Sequence, residues 1–534
     1  MMEAGGKVPI NPCGKFELKK SLPYHFLFVN LLFVFFLLNS CRSSPPALPR
    51  PDTLVVGLES NPVTLDPRLA RDSYSTRLLP LLFHFLVQVN QKAEIIPDLA
   101  LSWEQPDPLT FVFHLRPGLR FSTGQEVLAQ DVVYTLTSMA DPELRSPHQG
   151  LPARLQEIIA PDAHTVRLKL KEPYAPLLTE LVLGIVPEAE ARRLGKEFSR
   201  RPVGSGPYRL RSWEQGGEVA LEPNPNFTGP APRLKRLVFR VLPDDVTRIM
   251  ALERGEIQLL LSATPPDDMP VVEKNPRLRI VSEPGINYTY LGFNLADPIL
   301  RHREVREAIA HAIPREELIS CLFHGQARPA TGLLAPEHWA YEGNVETYDY
   351  NPARAKALLD QAGYPEPPGG GPRFHLLYKT SQNKLRRWMV EAIAYSLGEV
   401  GIEVEVRSLE FGTLFADIQA GNFQLYSLTW VGVTEPDIFY NAFNSKSLPP
   451  VGANRGRYQN PELDRLTEAG RSAFNPVERR ALYSQVQKIL AHDLPYVSLF
   501  YSTEDVVLDR SLQGFVLFPE GDYRSLAQAY WSSD

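Results

Sequence analysis

The side chains that could carry out chemistry are dispersed along this chain. Eleven histidines are present, but there is no HExxH and no clustered CxxC to gather a metal ion. His302 and His311 fall in one predicted helix nine residues apart, a poor metal spacing, and read as solvated or satisfied side chains. Gly204-Ser205-Gly206-Pro207-Tyr208 lacks the pattern of a nucleophile elbow, and Arg209 stands where a dinucleotide loop would need a third glycine. Gly369-Gly370-Gly371 has neither the lysine nor the hydroxyl of a phosphate loop. The acidic pairs Asp244-Asp245 and Asp267-Asp268 adjoin prolines and read as solvated turns. No catalytic site, metal site or cofactor site is expected from these residues.

Strands and helices mix along the chain without a repeat at solenoid periods. Thr165 to Leu170 alternates, predicting a strand that buries Val166, Leu168 and Leu170. Leu234 to Val241 and Ile402 to Val406 are further strand candidates. Helix starts are marked by Asn351-Pro352, Asn460-Pro461 and Asn475-Pro476, an N-cap acceptor followed by a proline whose missing N–H costs nothing in the first turn. Gly363 ends the first of these, and Pro495 stops the last. Val305, Ile309 and Ile313 form one apolar stripe on a helix from Arg303 to Ile313. Helices are expected to be more frequent after about residue 300.

The 534 residues suit two or three folding units, and 43% hydrophobic with 22% charged is globular composition. The net charge of -6, spread along the chain, argues against a nucleic-acid partner, which needs a concentrated basic face. The N-terminus differs from the rest. Lys15, Lys19 and Lys20 precede an apolar run from Phe26 to Leu38, too short for the roughly 20 residues of a membrane-spanning helix and suited to an export signal. Leu38-Asn39-Ser40-Cys41 resembles a lipobox, which makes 1–40 a signal peptide, Cys41 the lipid attachment site and the Pro-rich 41–51 a tether. Cys321, in the apolar stretch from Ile319 to Phe323, is expected as a buried structural thiol with no disulfide partner in the folded body.

Several stretches in order then resemble the family 5 (cluster C) solute-binding proteins of ABC transporters, of dipeptide- and oligopeptide-binding type. They include Thr64-Leu65-Asp66-Pro67, Phe111 to Phe121, Ala129-Gln130-Asp131-Val132-Val133-Tyr134 and Gly204 to Tyr208. Asn224-Pro225-Asn226-Phe227, Ala251 to Ile257, Tyr290-Leu291-Gly292-Phe293-Asn294 and Tyr350-Asn351-Pro352 follow, so the resemblance runs from about residue 53 onward. It implies an α/β, two-lobed periplasmic-binding-protein type II fold with an extra subdomain. Lobe I would comprise 52–289, with 97–203 as the subdomain, and a C-terminal return at 498–534; lobe II would be 290–497. Hinge strands would cross near Tyr288–Leu291 and Tyr496–Tyr501. It further implies a monomeric, lipid-anchored receptor outside the cytoplasm, in the periplasm or cell envelope, that binds a small solute, most readily a peptide, and delivers it to an ABC permease and ATPase. A non-peptide solute such as a sugar or metal complex, or a module signalling to a membrane sensor, stays open. A lipoprotein hydrolase would need a nucleophile or metal site that the sequence does not display.

In peptide-binding relatives a tryptophan-bearing segment pairs its backbone with the ligand. The matching stretch runs from Leu428 to Phe439, which makes Trp430, Val431 and Gly432 candidate ligand contacts. Relatives place an aspartate for the ligand ammonium three residues after the tryptophan, where this chain has Val433. Either Glu435 or Asp437 supplies the carboxylate from a shifted position, or the ligand has no free amine. Gln424 and Pro314 replace two further aspartates common in the family, the second at an expected helix boundary. In lobe I the loop after the Leu-Asp-Pro motif maps to Arg71, Asp72, Ser73 and Tyr74 as ligand contacts. Arg455 and Arg457 could meet a carboxylate but read more simply as solvated.

Overall fold

The computed structural model describes residues 52–90, 94–214, 216–261, 264–518 and 521–532. The expected signal peptide, the tether and Cys41 lie outside the described residues. Among those described, no helix is long and apolar enough to cross a membrane.

We number the elements that position the site in chain order. The first part holds β1 (Thr53–Leu58), α1 (Ser73–Leu82), β2 (Arg236–Val241), α2 (Asp245–Arg254) and β3 (Leu259–Leu261). A long strand follows, β4 (Leu278–Phe293), then α3 (Arg303–His311), α4 (Arg315–Phe323), β5 (Ala327–Pro329) and α5 (Pro352–Gln361). Next come β6 (Phe374–Ser381), α6 (Lys384–Glu399), β7 (Ile402–Leu409), α7 (Phe411–Ala420) and β8 (Leu425–Trp430). The last are α8 (Ile438–Phe443), α9 (Pro461–Ser472), α10 (Pro476–Asp493) and β9 (Tyr496–Asp509).

One mixed sheet runs through the molecule in the order β7-β6-β8-β4-β9-β3-β1-β2, with two antiparallel strands beyond β2 and β5 paired to β9. At one end β1 lies parallel to β2 and β3; at the other, β6 lies parallel to β7 and β8. Parallel strands need crossover connections, and helices on the faces supply them. Apolar cores therefore form on both faces: Tyr426 and Leu428 of β8 enter one cluster, while Leu425 enters the other. The α/β two-lobed architecture expected from the resemblance is the one observed.

Two strands join the lobes. β4 has sixteen residues, roughly 50 Å at about 3.3 Å each, and pairs with β9 from Leu278↔Asp509 to Gly292↔Tyr496. The ladder is interrupted between Glu283 and Asn287. At that break a Cβ on Gly285 would stand 2.0 Å from the Ser502 carbonyl oxygen, so only glycine fits. A four-stranded antiparallel sheet, which includes Thr165–Leu170, forms a separate core with Phe113, Phe121, Val166 and Leu168. The glycines of the Gly204–Tyr208 turn are also set by close approach: Gly206 donates its N–H to the Leu82 carbonyl, and a Cβ at Gly204 would meet that same oxygen at 1.9 Å.

One expectation is corrected. Cys321, on α4, is only partly buried, so its thiol is not an enclosed one.

Candidate functional site

In open α/β sheets, ligands bind outside the carboxyl ends of the parallel strands. In one lobe that edge is where β1 gives way to Glu59 and β2 to Leu242; in the other it is where β6 ends at Ser381, β7 at Leu409 and β8 at Trp430. The two lobes meet on this side. His324 Nε2, at the left-handed end of α4, lies 3.0 Å from Asp267 Oδ1. Thr179 Oγ1 donates to Glu435 Oε2 at 3.3 Å, and the Ala175 N–H donates to the Arg471 carbonyl at 2.7 Å.

The segment after β8 is held without being part of the sheet. Trp430 pairs with Tyr288 of β4, and the Gly432 N–H donates to Asn287 Oδ1 at 3.0 Å, with Gly432 at φ +64°. The Val431 side chain is exposed, and Val433 is buried in the apolar cluster beneath. Among the described residues the N–H groups of Val431 and Val433 have no acceptor. The Thr434 carbonyl accepts from His338 Nε2 at 3.0 Å. His338 Nδ1 accepts from the Ala340 N–H, and burial pushes the ring's pKa down to about 4. The imidazole is therefore neutral with a fixed tautomer.

Neither candidate carboxylate beyond Val433 is uncommitted. Glu435 forms a close ion pair with Arg479 Nη2 and also accepts from the Asp437 N–H at 3.1 Å. Asp437 Oδ1 lies 2.9 Å from Arg471 Nε, and burial pushes its carboxyl up to about 6 against the pull of that arginine. In lobe I, Asp72 is the N-cap of α1: Oδ1 accepts from the Ser75 N–H and Oδ2 from the Ser75 hydroxyl. Ser73 is exposed, and Tyr74 donates its hydroxyl to Glu59 Oε2 at 2.9 Å. Gln424 bridges Asp297 Oδ2 and the Leu377 N–H, which is a structural task.

Cationic groups are less fully matched. Arg455, read from the sequence as solvated, is instead half-buried, with its guanidinium 5.2 Å from the Trp430 ring centre and 5.3 Å from that of Phe415. Its Nη1 reaches Tyr290 Oη at 3.4 Å, and no carboxylate lies within ion-pair distance among the described residues. Arg457 is exposed at φ +59° and donates to the Ala420 carbonyl. Arg386, in the first turn of α6, has a guanidinium whose pKa burial lowers. Behind Trp430 stands a stack of tyrosines: Tyr290 lies 4.0 Å from Tyr496 and 5.7 Å from Tyr288, centre to centre. The alternation Tyr288, Thr289, Tyr290 was the available signal for that stack. Nothing local in the sequence marks Arg455, Arg471, Arg479 or His338.

No cluster of histidine, cysteine and carboxylate side chains suited to a metal occurs among the described residues. A cavity of about 580 Å³ lies elsewhere, on the flank of lobe II, between the start of α4, α10 and the first residues of β9. Its lining does not include Trp430–Ile438, although Phe439 and Tyr288 border it.

Comparison with known proteins gives the family and the fold. Residues 94–448 match the family model described as bacterial extracellular solute-binding proteins, family 5 Middle. The chain is 27% identical over 501 residues to the oligopeptide-binding protein AppA of Bacillus subtilis, covering 90% of this chain and 91% of that one. The structure of AppA in complex with a nonapeptide superposes with a TM-score of 0.77 at 26% identity, covering 90% of this chain and 99% of AppA. The Helicobacter pylori periplasmic binding protein DppA in complex with the peptide STSA gives 0.76 at 28% identity, covering 90% and 98%.

Proposed function

This chain belongs to the bacterial extracellular solute-binding proteins of family 5, and from that premise we propose that it captures a peptide between its lobes and hands it to an ABC importer of permease and ATPase. The observation that carries the reading is the segment after Trp430: backbone outside the sheet whose Val431 and Val433 N–H groups have no acceptor among the described residues, at the carboxyl edge of one lobe, beside an aromatic ring and facing the other lobe. Main-chain pairing of this kind recognises a peptide without reading its side chains closely. Relatives named or crystallised as peptide binders support the choice of ligand. Catalysis forms no part of the proposal.

The reading includes the division into 52–289 with 498–534, 97–203 as the subdomain, and 290–497, with closure by bending at β4 and β9. It also includes export, acylation at Cys41 and residence at the outer face of a membrane as a monomer. Mass measurement of the membrane-extracted protein should find an acylated chain beginning at Cys41; a chain still carrying residues 1–40 would remove the anchor from the account.

The ligand is tested by native mass spectrometry of purified protein, followed by melting curves with a short-peptide library. Peptides should raise the melting temperature in step with occupancy. A rise with a sugar or a metal complex and none with any peptide would refute the peptide reading. Trp430→Ala should weaken peptide binding by about tenfold or more while the fold survives, since buried aromatic anchors carry a large share of binding energy. Unchanged affinity would take Trp430 out of the site.

A further inference from the structure

The charges around Trp430 are unevenly matched. Three carboxylates, Glu435, Asp437 and Asp72, stand on the segments assigned to the ligand and a fourth, Glu59, at the adjoining end of β1; each has a charged or hydrogen-bonding partner within the protein, although Asp437 Oδ1 accepts no hydrogen bond among the described residues. Glu435 pairs with Arg479 and Asp437 with Arg471, Asp72 caps α1 through both oxygens, and Glu59 takes the Tyr74 hydroxyl and faces Arg248 Nη2 at 3.7 Å. At the lobe contact, Asp267 faces His324. To receive an ammonium, Glu435 would have to leave Arg479, and a buried guanidinium would lose its counter-charge. Val433 offers only hydrocarbon.

The cation beside Trp430 is in the opposite situation. Arg455 is held by ring faces and a tyrosine hydroxyl, with no carboxylate at ion-pair distance among the described residues. Two buried donors here, Arg455 Nε and Trp430 Nε1, have no acceptor among the described residues. Ring faces attract a guanidinium but leave its N–H groups able to take an anion. Positive charge and unanswered donors together repel an ammonium and favour a carboxylate.

We infer that the bound peptide presents a carboxylate to Arg455 and has no free amine near Trp430: it is blocked at its N-terminus, by acylation or cyclisation. This inference rests on the peptide reading above and adds the charge class of the ligand.

Three probes separate the possibilities when titrated into the intact protein and followed by calorimetry: N-acetyl-trialanine, trialanine with both termini free, and trialanine amide. The acetylated acid should bind about tenfold or more tightly than the free tripeptide, and the amide more weakly still. Arg455→Met should weaken binding of the acetylated acid by about ten- to a hundredfold, and Arg455→Lys should recover part of that loss. Circular dichroism and the melting curve establish that both variants fold. Equal or tighter binding of the free tripeptide overturns the inference, as does undiminished binding by Arg455→Met. If no peptide binds but a retained solute is found, the peptide reading fails separately; an anionic solute without an amine would still support the role of Arg455, and a cationic one would not.

Discussion

His338 shows how a single residue ties the ligand segment to pH. Its Nε2–H holds the Thr434 carbonyl and its Nδ1 accepts from Ala340, so protonation would break the second bond and bury a charge. The folded pKa of about 4 lies below the ordinary 6.5, so the unfolded chain binds the proton more readily. Stability from this group is present above pH 6.5 and is lost as the pH falls through 4, a loss of about 3 kcal/mol in all. Asp437 acts with the opposite sign: its carboxyl, raised to about 6, penalises the fold at neutral pH and relieves that penalty on acidification. The two are separable. His338→Gln keeps one donor and one acceptor without titrating, so its unfolding free energy should vary less between pH 6.5 and 4 than that of the parent, by about 3 kcal/mol. Parallel pH profiles in denaturant unfolding would exclude the assignment. None of this was legible in the sequence, where His338 is one histidine among eleven. Its role comes from folding 338 against 434, and no local pattern encodes that approach.

At the scale of elements, what was legible is what is local. The three Asn-Pro pairs open α5, α9 and α10 as expected, with the asparagine side chain accepting from the first-turn N–H groups each time. The alternation of Thr165–Leu170 buries Val166, Leu168 and Leu170. Arg303–Ile313 held a true stripe, though α3 ends at His311 and α4 begins after Pro314. The long strands were less visible, because β4 and β9 find each other across more than 200 residues of chain and the break at Gly285 is set by the partner's carbonyl. Asn475 offers a measurable case of the local kind. Its Oδ1 accepts from the Val477 N–H at 2.9 Å and the Glu478 N–H at 3.2 Å. Asn475→Ala should cost about 1 kcal/mol and speed amide exchange in the first turn of α10. Exchange there at the parent rate would show that the cap is idle. The same substitution should leave ligand affinity unchanged, since the bonds Asn475 makes stay within the first turn of α10, before the residues that meet the ligand segment, Arg479 and Tyr483.

For the whole molecule, the order of the motifs announced two lobes, but not what holds them together when they close. Arg471 occupies that position. Its guanidinium pairs with Asp437 on the ligand segment and lies 3.7 Å from the Tyr440 ring centre. It is also 5.3 Å from the ring of Tyr174, across the lobe contact, while its backbone carbonyl accepts from Ala175. One residue therefore touches the ligand segment and the opposing subdomain at once. Phe111 and Phe474, with centres 6.0 Å apart, extend the same contact. Removing the guanidinium should loosen closure without abolishing it, because the backbone bond remains. Arg471→Met leaves Asp437 without its partner; burial then drives that carboxyl further up and neutralises it, which limits the damage to the fold. The expected result is a larger radius of gyration by small-angle scattering at saturating ligand, with release of ligand about tenfold faster. Arg471→Lys keeps the charge but loses the planar stacking on two rings, so it should fall between parent and methionine variant. If scattering and release rate match the parent in both variants, the clasp is ornamental and closure is governed by β4, β9 and the ligand alone.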